Sequence, residues 1–252
     1  MNKNIAAVIM AAGQGKRMKN PDKSKVMHEL KEKPLIKYVI DLSLEINSEK
    51  IIPVVGHQKN AVIDFIKNTF KDNAELFHFA HQDEQLGTGH AVMQSEKFLS
   101  DFDGDTLILS GDVPLLRAST VQSFIDFHRK NNFDASLISA VFDDPHGYGR
   151  VLRDASGNFY DIREEKDCTD EEKKCKEINS GIYFVNNKLL FDALKTLKTD
   201  NAQGEYYLTD IFRYFKKKGM KIGAFPVKDN IEITGINTIE QLEELEKEAT
   251  IN

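Results

Sequence analysis

Residues 5–10 read Ile-Ala-Ala-Val-Ile-Met, an unbroken apolar run that passes directly into Ala11-Ala12-Gly13-Gln14-Gly15-Lys16-Arg17. A strand with one wet face alternates apolar and polar side chains, so a run with no polar member is the pattern of a strand covered on both faces. The next stretches of chain supply the helices that such a strand needs. Pro34 opens a helix on which Leu35, Val39, Leu42 and Ile46 share one face. A second buried run at 51–55 closes at Gly56. Residues 61–70 have helical periodicity, 75–80 read as a strand and 88–99 as a helix. Residues 106–110 form another buried strand ending in Gly111-Asp112, followed by a helix at 121–129 and a strand at 135–142. This order predicts an α/β, Rossmann-like fold with a mostly parallel central sheet and helices on both faces.

The texture changes after Asp143. Strand-like pieces at 148–153, 159–163 and 178–185, with a turn at 154–157, predict a smaller antiparallel lobe built onto the first sheet. Helices return at 188–197 and 208–217, then a strand at 221–226 and a closing helix at 238–248. The expected organisation is a single domain, 1–252, with 1–142 and 221–252 as its main part and 143–220 as the lobe.

A net charge of -6 argues against nucleic acid, whose phosphates call for a basic stripe. No stretch approaches the roughly 20 apolar residues of a spanning helix, so no membrane partner is expected. The first apolar run is too short, and too soon followed by Lys16 and Arg17, to be a signal peptide, which makes the expected location cytoplasmic. Cys168 and Cys175 lie in a charged stretch without a Cys/His cluster and read as free thiols. Nothing in the sequence fixes an oligomeric state.

Ligands of open α/β sheets bind beyond the carboxyl ends of the strands, which is where the loop after residue 10 falls. Small residues there let backbone N–H groups approach phosphate oxygens, and Lys16, Arg17 and Lys25 add cations. A dinucleotide fingerprint fails because Met18 stands where its third glycine would be, and the Gly-Lys-Ser/Thr of a P-loop is absent. By spacing alone, a flexible turn with surface lysines fits nearly as well as a phosphate cradle.

Met10-Ala-Ala-Gly-Gln-Gly-Lys-Arg-Met18 followed by Lys25-Val-Met-His28 resembles the signature of sugar-nucleotide pyrophosphorylases. Within that family the chain is most similar to the uridyltransferase domain of the bacterial bifunctional enzymes that make UDP-N-acetylglucosamine. Collinear blocks carry the resemblance from about residue 5 to about 245. They are Gln82-Asp-Glu-Gln-Leu-Gly-Thr-Gly-His90, Gly111-Asp-Val-Pro114, Asp144-Pro-His-Gly-Tyr-Gly-Arg150, Glu164-Glu-Lys-Asp167, Glu177-Ile-Asn-Ser-Gly181, Gln203-Gly-Glu-Tyr-Tyr-Leu-Thr-Asp210 and Gly235-Ile-Asn237.

The resemblance implies a nucleotide-diphospho-sugar transferase fold. It also implies attack by N-acetylglucosamine 1-phosphate on the α-phosphorus of UTP, with release of pyrophosphate and help from Mg²⁺. The same chemistry on glucose 1-phosphate or galactose 1-phosphate is one alternative, and a non-catalytic nucleotide-sugar binding module is another. A phosphate monoester, with a second pKa of about 6, is already an anion near neutral pH and needs no general base.

By the resemblance, Arg17 holds the triphosphate and Lys25 lies near both reacting phosphates. Asp112 and Asn237 share the metal. Ala11, Ala12, Gly13, Gly15, Gln82, Gly87 and Thr88 bind the nucleotide, while Gly149, Glu164, Asn179, Tyr207 and Thr209 bind the sugar. Plainer readings exist beside these. Asn237 with Glu240 fits a helix start, Gln82 fits an exposed loop, and Glu164 fits a solvated charged run. His28 and His90 read as structural histidines. Ser110 stands where the family often has Tyr. The bifunctional relatives continue into hexapeptide repeats that carry acetyltransferase activity; these 252 residues hold no such repeat, so acetyl transfer is not expected of them.

Overall fold

The structure is a computed structural model and describes residues 4–20 and 22–248. Its strands are β1 (Asn4–Ala11), β2 (Glu29–Leu30), β3 (Lys33–Pro34), β4 (Lys50–Val55), β5 (Ala80–His81), β6 (Gly104–Ser110), β7 (Ala135–Val141), β8 (Arg150–Arg153), β9 (Phe159–Arg163), β10 (Glu177–Asn186) and β11 (Ile222–Pro226). The helices are α1 (Leu35–Glu45), α2 (Lys59–Thr69), α3 (Thr88–Met93), α4 (Glu96–Leu99), α5 (Ala118–Lys130), α6 (Asn187–Leu194), α7 (Ile211–Lys217) and α8 (Ile239–Glu248). None of the helices described is long and apolar enough to cross a membrane.

Nine strands form one mixed sheet in the order β11-β7-β10-β6-β1-β4-β5, with β8 paired to β10 and β9 to β8. The β6-β1-β4-β5 run is parallel, with Met10 opposite Ser110 and Ala11 opposite Val55. Strand β10 is antiparallel to both of its main neighbours, β6 and β7. It thus runs through the middle of the sheet although it lies in the lobe segment of the sequence. The β8–β9 hairpin is the antiparallel addition.

The fully apolar strands do cover both faces. Ile9 and Ala11 of β1 join Leu107, Phe184, Ile36, Val62 and Phe124 in one core, against α1, α2 and α5. Their alternate neighbours Ala6 and Val8 join Ile108, Tyr183, Val92, Leu190 and Phe212 in the other, against α3, α6 and α7. A third cluster of Met18, Leu30, Leu35, Ile236 and Leu245 ties the first loop to the C-terminal segment.

Two elements differ from expectation. Residues 75–80 are not a regular strand. A 3₁₀ turn occupies Lys71–Leu76, Phe77 makes only an isolated bridge to Ile51, and β5 is two residues long. This segment is the sheet's edge, where a strand has one partner and its apolar side chains pack locally, Phe77 on Phe70 at 5.7 Å. The helix expected over 88–99 is broken into α3 and α4, and the buried Ser95 hydroxyl donates back to the Val92 carbonyl at 2.6 Å at the break.

Candidate active site

The parallel register fixes what meets at the carboxyl edge. Beyond β1 comes the loop from Ala12, beyond β6 Gly111-Asp112, beyond β4 Gly56, and beyond β5 Gln82. Adjacent strands close tightly here: the Gly111 amide donates to the Met10 carbonyl at 2.9 Å, and Gln82 N to the Val55 carbonyl at 2.8 Å. A side chain at Gly56 would sit 2.8 Å from Gln82 O and 2.9 Å from Ala12 O, so only glycine lets these loops approach. On the other flank of β6, antiparallel β10 brings its N-terminal half to the same edge, and an added Cβ at Gly181 would lie 3.4 Å from Ser110 Oγ.

Two adjoining cavities result. One, of about 290 Å³, is lined by Ala11, Ala12, Gly13, Lys25, Gln82, Gly87, Thr88 and Asp112. The other, of about 180 Å³, is lined by Gly149, Glu164, Asn179 and Thr209. Met10, Thr88 and Ser110 belong to both and form the wall between them.

Four side chains cluster at the end of the first cavity that Lys25 and Asp112 line. Lys25 Nζ donates to Asp112 Oδ2 and, at 2.8 Å, to Asn237 Oδ1. Arg17 also donates to Asn237 Oδ1 at 2.8 Å. The backbone holds the Asp112 and Asn237 segments together, with Ile236 N donating to Asp112 O at 2.9 Å. Met18, buried against Ile236 and Leu245, pins Arg17 beside Asn237. Gly15 does not line the cavity. Its φ of 62° and the 2.8 Å between an added Cβ and Lys25 Cβ show its part: it lets the loop close onto Lys25. The Lys16 side chain lies outside the described residues.

The helix-start reading of Asn237 shifts by one residue. Thr238 Oγ1 accepts from Gln241 N at 3.2 Å, and Gln241 Oε1 accepts from Asn237 N at 2.8 Å and Thr238 N at 3.2 Å, a capping box. Glu240 instead pairs with Lys19 at 3.0 Å. The Asn237 side chain is therefore left to face the cluster.

At the far end, Gln82 is buried, not an exposed loop residue. Its Nε2 donates to Gly87 O at 3.0 Å and lies 3.1 Å from His90 Nδ1. The amide nitrogen is thus committed, and Oε1 is the atom offered to a ligand. His90 orients Gln82. His28 is buried, with a pKa lowered by burial and by Lys23, and lines neither cavity. Gly87 (φ 105°) and Gly89 let residues 205–208 cross, since added Cβ atoms would fall 2.7 and 2.9 Å from Tyr206 O. The Thr88 hydroxyl accepts from Leu208 N at 3.1 Å.

In the second cavity, Thr209 Oγ1 donates to Glu164 Oε1 at 3.1 Å. Burial pushes the Glu164 carboxyl above the usual glutamate range, with Asp210, Asp167 and Glu205 adding to the rise. It is held in a cavity wall and does not belong to a solvated face. Asn179 Nδ2 donates to Tyr183 Oη at 2.7 Å while its Oδ1 accepts from Gly181 N at 3.2 Å, which fixes the amide. Tyr207 is not brought here: it is buried, its hydroxyl lies toward Asp167 and Gln203, and it lines neither cavity.

Sequence reasoning assigned no role to Gln85, Glu205 and Tyr148, all of which line a cavity. Each stands in one of the collinear blocks, and Tyr148, a bulky aromatic between two glycines, carried the plainest signal. Burial raises its pKa, and its hydroxyl lies against the Gly235 backbone and close to Asp112.

The fold is that of the nucleotide-diphospho-sugar transferases. A glucose-1-phosphate thymidylyltransferase, so assigned, from Bacillus anthracis and solved with sucrose superposes with a TM-score of 0.80 at 20% identity, covering 98% of this chain and 96% of that one. A UDP-glucose pyrophosphorylase solved with UDP-glucose gives 0.77 at 19% identity, covering 98% of each. The chain belongs to the nucleotidyl transferase family, whose profile matches residues 6–235. It is 45% identical over 96% of its length to the bifunctional protein GlmU of Caldanaerobacter subterraneus and 40% identical over 96% to that of Streptococcus mutans. The chain spans 51% of the length of each of these relatives.

Proposed function

We propose that the chain joins UTP to N-acetylglucosamine 1-phosphate, giving UDP-N-acetylglucosamine and pyrophosphate. The observation that carries this reading is the pair of cavities with one shared wall, Met10, Thr88 and Ser110, beside a cluster of two cations and two oxygen ligands. The resemblance of the collinear blocks to the uridyltransferase domain of the bifunctional enzymes favours uridine and N-acetylglucosamine.

The uracil would lie against Gln82 Oε1 and the Gly87 segment, with the phosphates toward Arg17 and Lys25. The sugar would lie among Gly149, Glu164, Asn179 and Thr209. The sugar phosphate oxygen attacks the α-phosphorus, a new P–O bond forms in line with the bond that breaks, and pyrophosphate leaves with that bond's electron pair. No proton need move, because the nucleophile is already anionic. The protein's task is to bring two polyanions together and stabilise the spread of charge, which suits Lys25 and Arg17.

Asp112 and Asn237 fit Mg²⁺. Their oxygens already converge on one cation, the Lys25 ammonium, and one carboxylate with one amide is a set that Mg²⁺ completes with water and substrate phosphates. Among the described residues there is no group of three or more His, Cys, Asp or Glu that could hold a metal ion. When bound, the ion would neutralise phosphate charge.

Pyrophosphate release from UTP tests the reading, measured with N-acetylglucosamine, glucose and galactose 1-phosphates, with and without Mg²⁺. Fastest release with the N-acetylated sugar and Mg²⁺ is expected; faster release with glucose 1-phosphate would reassign the sugar, and none with any sugar would overturn the enzyme reading.

A further inference from the structure

We propose that Lys25 is a gate on the metal ligands: its ammonium holds Asp112 and Asn237 closed against a divalent cation until a triphosphate draws it away. The inference rests on the reading that these two residues are the metal ligands.

Three contacts carry it. The Lys25 ammonium donates to Asp112 Oδ2 and also to Asn237 Oδ1 at 2.8 Å. Arg17 donates to the same Asn237 oxygen at 2.8 Å. An amide oxygen has two lone pairs, so Asn237 Oδ1 is fully used by two cationic donors. A divalent ion can take that oxygen only if one of them leaves.

Within the cluster, the Lys25–Asp112 pair is poorly screened. The Lys25 and Asp112 side chains are 14% and 22% exposed. A bare divalent cation would arrive beside the Lys25 ammonium, a like charge with little water around it, and water is what weakens such repulsion elsewhere. A triphosphate changes this. Lys25 lines the nucleotide cavity, and its flexible stem and three rotatable donors can turn from the carboxylate to phosphate oxygens. Asp112 and one Asn237 lone pair are then released together.

Metal and triphosphate therefore bind with positive coupling, and by linkage each raises the other's affinity by the same factor. The gate lowers the apparent affinity for metal alone by the fraction of molecules in which it stands open. A consequence is that Lys25 has two stations, the ligand pair before substrate and the phosphates after it.

The test is direct Mn²⁺ binding without nucleotide or sugar, read from the electron paramagnetic resonance of free Mn²⁺. The wild type, Asp112→Ala, Lys25→Met and the double variant Lys25→Met/Asp112→Ala are compared, each checked by thermal melting, with Lys25→Gln as a second variant should Lys25→Met lose its fold. The gate predicts that Lys25→Met binds Mn²⁺ about tenfold or more tightly than the wild type, and that Asp112→Ala removes the gain. Equal Asp112-dependent affinity in the wild type and Lys25→Met would overturn the gate while leaving the metal ligands standing. No Asp112-dependent binding in any of them, with or without UTP, would overturn the ligand assignment itself and the gate with it.

Discussion

At the proposed phosphate end, Arg17, Lys25, Asp112 and Asn237 come from distant parts of the chain and hold one another by one ion pair and by hydrogen bonds from two cations. At the sugar end, Glu164 is held by Thr209, and Asn179 by Tyr183 and Gly181, in a cavity where burial has already disfavoured ionisation. The first set is built around two flexible cations whose partners can be exchanged. The second is made of short side chains fixed by a buried strand and a 3₁₀ turn. A polyanionic substrate suits the first, because its phosphates replace the partners they displace. A neutral, hydroxyl-bearing sugar suits the second, which offers directed donors and acceptors in place. The contrast predicts that substitutions at the phosphate end act on turnover, and those at the sugar end on recognition.

Asp112→Ala gives the largest effect expected. It should lower kcat roughly a thousandfold, the scale of a lost electrostatic contact to the reacting group, while the melting temperature changes little. Near wild-type kcat at limiting Mg²⁺ would remove Asp112 from the metal site and erase the contrast. Met18→Ala comes next and sharpens the account of how the cluster is assembled. Its side chain is 1% exposed and packs with Ile236 and Leu245, so its loss should cost about 2–5 kcal/mol in denaturant unfolding. It should also lower kcat, because Arg17 loses its position beside Asn237; Met18→Leu should cost under about 1.5 kcal/mol. Lost stability with unchanged kcat would separate packing from positioning.

Glu164→Gln carries the smallest effect and a definite sign. Below the ordinary glutamate pKa, about 4.3, both folded and unfolded chains are protonated and the two proteins should differ least. As pH rises, the unfolded chain ionises first, while the folded wild type must ionise in a poorly hydrated site. Wild-type stability therefore falls relative to the variant until the pH passes the raised folded pKa. Thermal melts across pH 4–8 should show the variant gaining on the order of 1 kcal/mol, about 2–4 °C. A gain in the opposite direction would mean that the carboxylate is stabilised where it lies.

Much of this was legible in the sequence, for physical reasons. Strands buried on both faces announce themselves as apolar runs, so β1, β4 and β6 were readable, and with them the edge where Asp112 stands. The edge segment at 75–80 was not, because a strand with one partner is shaped by local packing. The frame of the α8 cap was off by one, since Asn237 and Thr238 are both good caps and only the hydrogen bonds of Gln241 decide between them. Motif matching placed Gln82, Glu164 and Asn179 at cavities but was silent on which of their atoms are already committed. It also put Tyr207 with the sugar, although the turn at Leu208–Asp210 presents Thr209 and leaves Tyr207 facing Asp167.

On the function proposed, the two cavities take two different substrates across one shared wall. Steady-state KM values for UTP and for N-acetylglucosamine 1-phosphate in Gln82→Ala and Asn179→Ala test it most directly. Gln82→Ala is expected to raise the KM for UTP about tenfold or more and to leave that for the sugar phosphate within about twofold, and Asn179→Ala to do the reverse, each on the scale of one lost hydrogen bond to a ligand. If both variants raise the same KM, the two cavities are one site and the division proposed is wrong.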